Sequence, residues 1–174
     1  GMGAWNLRLR TKIDGLWQPS IRISGNNMVF EHSEIIDSNN ILWIFYRESY
    51  QLKFFKFDTN TNISIGSGIL DTATSIRYPT ATIDGRGNIY VAYAIHYANN
   101  YSELFYKVLN NTTSVWSERK QITSTTTDGI CSKPSFKYQR YFNNMPNIVE
   151  LLYEQKDVGS STTNLYYTTI KTLK

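Results

Sequence analysis

The stretch Ser75-Ile-Arg-Tyr-Pro-Thr-Ala-Thr-Ile-Asp-Gly-Arg-Gly-Asn-Ile-Tyr-Val-Ala-Tyr93 contains an apolar segment, a turn rich in Asp, Gly and Asn, and a second apolar segment. Residues with β-branched or aromatic side chains favour strands, and Gly adopts positive φ at little cost in a tight turn. The stretch therefore predicts a β-hairpin.

The rest of the chain has the same character. Its apolar segments are short and rich in Ile, Val, Phe, Tyr and Thr, and Asn, Asp, Gly or Ser separates them, as expected for strands joined by turns. No window keeps the i, i+3, i+4, i+7 spacing of an amphipathic helix. The sequence therefore predicts an all-β fold, with clear strands at 41–46, 52–57, 89–93, 104–108, 147–153 and 165–170.

One pattern occurs three times along the chain and forms the second half of a repeated unit. In each copy a strand and a turn lead to a large apolar residue, and the next strand ends at an isoleucine six positions later. The three pairs are Trp17 and Ile23, Ile63 and Ile69, and Trp116 and Ile122. Repeats with a period of tens of residues indicate solenoids or propellers.

The first half of the unit repeats as well. The turn that follows Ile83 recurs in Ile36-Asp-Ser-Asn-Asn-Ile-Leu-Trp43, one residue shorter. In this alignment Arg77-Tyr78-Pro79 corresponds to Phe30-Glu31-His32 and to Ser132-Lys133-Pro134. A unit of four strands over about 45 to 60 residues is typical of a β-propeller blade.

The strand count predicts a partial propeller. We expect a single domain, 2–174, with blade parts at about 5–24, 28–70, 75–123 and 130–174, which hold thirteen strands or about three blades. Closed propellers have about four to eight blades, and three blades leave apolar faces exposed. We therefore expect a homodimer in which two chains complete one ring of about six blades, with a composite blade at each junction.

The ordered motifs resemble the BNR-type repeats of sialidase-like β-propellers over nearly the whole chain. The resemblance consists of a Tyr-Pro first strand, an Asp-x-x-Gly-Asn turn, an Ile-Tyr-Val-Ala-Tyr second strand, a Leu-Phe-Tyr third strand and a Trp-Ser after the next turn. The family's Asp box is degenerate, as in Asp14-Gly-Leu-Trp17, and Arg77-Tyr78-Pro79 resembles the Arg-Ile-Pro motif that carries a sialidase arginine. The resemblance implies a glycosidase, a lectin or an adhesin.

Charge, apolar runs and cysteine content show which other classes of protein the sequence does not resemble. The formal charge of +4 is scattered along the chain, whereas a nucleic-acid-binding protein shows a basic stripe. No apolar run approaches the roughly 18 residues that span a bilayer. The single cysteine, Cys131, predicts a buried thiol, and no spacing predicts a metal site or a cofactor.

Gly1 before Met2 resembles a scar of tag removal, and no apolar signal-peptide core follows it. The sequence therefore leaves the location open, and a cell-surface or extracellular location would fit a piece of a longer protein.

The alternating direction of blade strands predicts where a ligand binds. Loops between second and third strands share one face with the connections between blades, namely Glu31-His32, Arg77-Tyr78 and Ser132-Lys133. That face holds much of the chain's Arg, Glu, His and Tyr, and loops on a rigid scaffold commonly bind ligands. The candidate binding residues are Arg47, Glu48, Tyr50, Arg77, Tyr78, His96, Tyr97, Tyr101 and Glu154.

These residues favour a non-catalytic carbohydrate-binding or adhesin-like domain, because tyrosine platforms beside Asn, Arg and Glu suit sugar rings. A sialidase-like glycoside hydrolase, or a fragment of one, is the first alternative. Glu48 and Glu154 would be its paired carboxylates, although surface salt bridges to Arg47 or Lys156 also account for them. A structural or protein-interaction propeller is the second.

Overall fold

The computed structural model of the chain describes residues 6–25, 29–97, 101–124, 129–136, 148–157 and 159–171. Every regular element in this part of the chain is a β-strand, which confirms the all-β prediction. No helix within the described ranges could cross a membrane. The turn predicted within 137–147 and both ends of the predicted domain lie outside the described residues. The strands are β1 (Arg8–Leu9), β2 (Lys12–Ile13), β3 (Leu16–Trp17), β4 (Ile21–Arg22), β5 (Val29–Ile36), β6 (Ile41–Glu48), β7 (Gln51–Asp58), β8 (Ile63–Thr72), β9 (Ile76–Ile83), β10 (Ile89–His96), β11 (Ser102–Asn110), β12 (Val115–Trp116), β13 (Lys120–Gln121), β14 (Ile130–Phe136), β15 (Ile148–Lys156) and β16 (Asn164–Lys171).

The strands form four groups that follow one another along the chain. An N-terminal ribbon contains the antiparallel pairs β1–β4 and β2–β3. Sheet A contains β5, β6, β7 and β8 in chain order. Sheet B contains β9, β10 and β11, and the short strands β12 and β13 both pair with β11. Sheet C contains β14, β15 and β16, and one parallel pair, Ser102 with Ile130, joins it to sheet B.

An aspartate fixes the first turn in both sheet A and sheet B. Asp37 Oδ1 accepts hydrogen bonds from the backbone N–H groups two and four residues later, and Asp84 Oδ1 does the same. Their Oδ2 atoms accept hydrogen bonds from the aromatic side chain six residues later, Trp43 Nε1 at 2.9 Å and the Tyr90 hydroxyl at 3.3 Å. The two turns therefore have the same length in the structure, although the sequence alignment makes the first one residue shorter.

The ribbon and the three sheets pack face to face. The ribbon packs on sheet A around Tyr46 and Phe57, sheet A packs on sheet B around Phe45 and Tyr93, and sheet B packs on sheet C through further buried side chains. Because sheets A and B are covered on both faces, their second strands are buried almost throughout, as in sheets that lie inside a layered structure.

The first strands of the three sheets lie side by side. Strand β9 contacts both β5 and β14. The Ala81 N–H donates to Ser33 Oγ at 3.1 Å, and the Phe136 N–H donates to Thr80 Oγ1 at 3.4 Å. These bonds join equivalent positions of successive sheets, so each sheet is placed on the next by the same contact.

Each of these first strands also contains a β-bulge. The pairing shifts between Val29 and His32 in β5 and between Ser132 and Ser135 in β14. In β9 it shifts opposite the step from Ala92 to Ala94 of β10. Tyr78 and Lys133, which precede prolines, have φ values of 52° and 47°. A bulge redirects side chains and is frequent beside functional sites, and a non-glycine residue at positive φ costs about 1–3 kcal/mol.

Candidate ligand-binding site

The bulges of β5 and β9 bring five side chains together at one end of sheets A and B. We call Glu31, Arg47, Arg77, Tyr78 and His96 the rim cluster. Arg77 Nη1 lies 3.9 Å from Glu31 Oε1, and the backbone N–H of Tyr78 donates to Glu31 Oε2 at 2.8 Å. The Tyr78 and His96 ring centroids are 6.1 Å apart, and Arg47 is close enough to influence the pKa of His96.

Four members of the rim cluster are residues that the sequence analysis selected. The fifth, Glu31, lies on the face that the sequence predicts to bind a ligand, but it is not among the predicted binding residues. Its signal in the sequence was its alignment with Tyr78 in the repeated unit. In the structure Glu31 pairs with Arg77 and accepts from Tyr78, so it positions two of the selected residues.

The cluster contains two cations in a partly buried setting. Burial lowers the pKa of Arg47, the nearby charge of Arg77 lowers it further, and Glu31 opposes both effects. An arginine remains protonated despite such a shift. Arg47 Nε donates to the Ser49 carbonyl at 3.2 Å, which holds the guanidinium in place.

His96 is the titratable member of the cluster. Burial lowers the pKa of His96 below 6.5, and Arg77 acts in the same direction, so the imidazole is neutral at pH 7. Its Nε2 atom is buried and has no hydrogen-bond partner among the described residues. An unsatisfied buried polar atom is energetically unfavourable. A hydroxyl or a water molecule that forms a hydrogen bond with Nε2 would therefore stabilise the site.

A pocket of about 440 Å³ lies between the three bulged strands. Its volume is in the range of small-ligand sites. Lys133 Nζ, on the sheet C side, lies 3.0 Å from Glu154 Oε2, so the predicted residue Glu154 borders this region through its lysine partner. The pocket is lined by Glu31, His32, Tyr78, Pro79, Lys133, Pro134 and Ser135.

Three further predicted tyrosines follow second strands at the same end of the sheets. The Tyr97 and Tyr101 rings lie 5.2 Å apart, and 41% of Tyr97 is exposed. The Tyr101 hydroxyl donates to Glu103 Oε1 at 2.6 Å, which orients its ring. Tyr50 is exposed in the turn between β6 and β7. Residues 98–100 of the Tyr97 loop lie outside the described residues.

The structure places Glu48 away from the rim cluster. Only 3% of Glu48 is exposed, and its Oε2 atom lies 2.6 Å from Lys53 Nζ. A Cβ on Gly25 would come within 2.9 Å of Glu48 Oε1, so this carboxylate faces the segment that follows the ribbon. Burial and the Glu48 charge raise the pKa of Tyr46 to about 12. Glu48 and Glu154 therefore have separate lysine partners.

Cysteine and histidine do not form a metal centre in the described ranges. Cys131 is buried, and burial raises its pKa to about 11, which confirms the predicted buried thiol. His32 contacts Glu34 at 3.2 Å and is half exposed. No group of three or more metal-ligating side chains occurs among the residues that the structure describes.

Comparison with known proteins gives a structural similarity. No family model matches the chain, and no curated protein matches it in sequence. The fold is similar to the crystal structure of a triple arginine-to-alanine mutant of AofleA from Arthrobotrys oligospora, with a TM-score of 0.52 and 11% sequence identity. The similarity covers 92% of this chain and 49% of that chain, so this chain spans about half the length of the AofleA structure. At this identity the similarity concerns the fold.

Proposed function

We propose that this protein is a non-catalytic carbohydrate-binding domain built from β-propeller-type blades, and that its ligand binds at the rim cluster and the adjoining pocket. The observation that carries the proposal is the convergence of Arg47, Arg77, Tyr78 and His96 at one end of the sheets. Planar guanidinium donors, a neutral imidazole and a partly exposed tyrosine suit the hydroxyls and apolar faces of a sugar.

The arrangement of the sheets supports the propeller interpretation. Antiparallel sheets stack face to face, and their first strands are adjacent and linked by equivalent hydrogen bonds. These are the contacts expected of blades arranged around an axis.

Binding is better supported than glycoside hydrolysis. Hydrolysis commonly needs two carboxylates about 5 to 9 Å apart. Among the described residues the rim cluster contains one carboxylate, Glu31, which is paired with Arg77, and Glu154 beside the pocket is paired with Lys133. Glu48 is buried against Lys53 in a different contact.

The test is a glycan array followed by affinity measurements on three variants. Tyr97→Ala removes a stacking surface and should weaken binding about fivefold, since an aromatic contact contributes on the order of 1 kcal/mol. Arg47→Ala should also weaken binding because it removes a donor fork. Asn110→Ala is the matched control, because nine-residue β11 separates Asn110 from Ser102 at the rim end by about 27 Å.

Circular dichroism must first show that each variant is folded. Weaker binding by Asn110→Ala, with parental binding by the other two, would place the ligand at the opposite end. Turnover of chromogenic glycosides by the parent protein would instead establish the hydrolase.

A further inference from the structure

The outward face of the N-terminal ribbon is basic. Leu7, Leu9, Ile21 and Ile23 point towards sheet A and pack against it. The alternate residues Arg8, Arg10 and Arg22 are exposed on the other side. Arg10 and Lys12 lie 5.6 and 5.8 Å from the ring centroid of exposed Trp17. We call Arg8, Arg10, Lys12, Trp17 and Arg22 the basic end face.

The arginines of this face are held in fixed positions. Arg8 Nε donates to Ser20 Oγ, Arg10 Nε to the Gln18 carbonyl and Arg22 Nε to the Ser24 carbonyl, each at 2.9 Å. Arg8 and Arg22 are direct partners across the β1–β4 pair. Like charges directly opposite each other destabilise a strand pair, so a neighbouring negative or π-electron surface would stabilise this arrangement.

The outward face of sheet C is apolar at its centre. Strand register places Leu152 opposite Tyr167 and Glu154 opposite Leu165 on this side of the sheet. Leu165 is 71% exposed and Tyr167 is 57% exposed. Glu150 lies on the same side and accepts a hydrogen bond from the Tyr167 hydroxyl at 2.8 Å. We call Glu150, Leu152, Leu165 and Tyr167 the apolar end face.

The two end faces lie at opposite ends of the stack formed by the ribbon, sheet A, sheet B and sheet C. They are also chemically complementary. Arginine stems cover apolar surface while their guanidinium groups remain accessible, and a guanidinium stacks favourably on a tyrosine ring. Glu150 adds a carboxylate beside that ring.

We propose that the basic end face of one copy of this chain docks on the apolar end face of a second copy, and that two such contacts close a two-copy ring. This inference rests on the propeller arrangement proposed above and is independent of the glycan site. The AofleA structure fits this arrangement, because this chain matches 49% of it and two copies of this chain are about as long as that chain. A contact between different faces closes into a ring only when the rotation between copies permits it.

The experiment measures the mass of the parent chain and of two charge-reversed variants by light scattering and sedimentation equilibrium at micromolar concentration. Variant one is Arg8→Glu with Arg22→Glu, and variant two is Glu150→Arg with Leu165→Arg. We expect the parent to be a dimer and each variant alone to dissociate with a dissociation constant raised at least tenfold. Glu118→Lys, an exposed reversal next to β13, should remain a dimer.

Mixing the two variants provides the decisive result. In the mixture the acidic ribbon of variant one meets the basic sheet C of variant two at one junction, and the other junction joins two unchanged faces, so heterodimers should form with affinity near that of the parent. A monomeric parent, dimers that persist in both variants, or a parent that forms an open series of larger oligomers would each overturn the proposal. Circular dichroism verifies folding, and single substitutions Arg22→Glu and Leu165→Arg replace a double variant that fails to fold. If the parent protein is a dimer but binds no glycan, that result counts against the proposed function alone.

Discussion

The aspartate at the start of the β9–β10 turn should contribute strongly to stability although it lies in a turn. Asp84 is buried, and its Oδ1 atom accepts the N–H groups of Arg86 and Asn88, both at 2.9 Å. Its Oδ2 atom accepts the side-chain amide of Asn88 at 2.9 Å. The carbonyl oxygen of that amide in turn accepts the N–H of Asn111. Asp84→Ala therefore removes the acceptor at the centre of a network that joins two turns.

The size of the effect follows from these contacts. A hydrogen bond to a charged group contributes about 1.5–3 kcal/mol, and a buried donor left without a partner costs about 1–3 kcal/mol. Water can reach the Arg86 N–H more readily than the buried Asn88 groups, so the Asn88 contacts dominate. We expect Asp84→Ala to lower the free energy of unfolding by about 3–5 kcal/mol. In a domain of this size that loss lowers Tm by about 10 °C.

The assay is urea unfolding followed by tryptophan fluorescence and circular dichroism, with Asp58→Ala as the matched control. Asp58 Oδ1 also accepts two backbone N–H groups, those of Asn60 and Thr61, but this turn is exposed and water replaces the carboxylate. Asp84→Asn retains an acceptor oxygen and should be intermediate. If Asp84→Ala loses no more stability than Asp58→Ala, the network does not stabilise the fold as argued.

Three further outcomes are expected. Burial raises the pKa of Cys131 to about 11 from 9.0. The contribution of its protonated thiol to the free energy of unfolding is therefore complete below pH 9 and is lost as the pH approaches 11. A thiol reagent at pH 8 should label Cys131 only after unfolding. Because the pKa of His96 is lowered, its contribution to the free energy of unfolding is present above pH 6.5 and is lost below it. His96→Gln should therefore make the free energy of unfolding less dependent on pH in the acidic range. Phe45→Ala, in the fully buried contact between sheets A and B, should cost about 3–5 kcal/mol by urea unfolding, whereas exposed Ile69→Ala should leave the midpoint nearly unchanged.

The strands and turns could be predicted because the interactions that form them are local. Asp37 and Asp84 each bind backbone and side-chain groups within six residues, so a short sequence specifies its own turn. The third residue after each aspartate, Asn40 or Gly87, has a positive φ of 61° or 82°. Asn and Gly tolerate that conformation. The repeat and the all-β class could therefore be predicted from these turn residues.

The burial of Glu48 could not be predicted in the same way. Strand β6 is apolar over most of its length because the ribbon covers one face of sheet A and sheet B covers the other. A strand buried on both sides loses the alternation that would show which way its last residue points. The direction of Glu48 depends on Gly25 and Lys53, and the sequence around β6 carries no sign of the first of these.

The rim cluster combines a predictable backbone with unpredictable pairings. A proline within a strand indicates a bulge, so Pro79 and Pro134 were the available signals for the bulges at Tyr78 and Lys133. The same backbone conformation carries a tyrosine in sheet B and a lysine in sheet C. The repeated feature is therefore the bulge, and the chemistry of the pocket depends on which side chain each copy presents there. That Glu31 of sheet A meets Arg77 of sheet B follows only from how one sheet is rotated on the next, which contacts between distant residues determine.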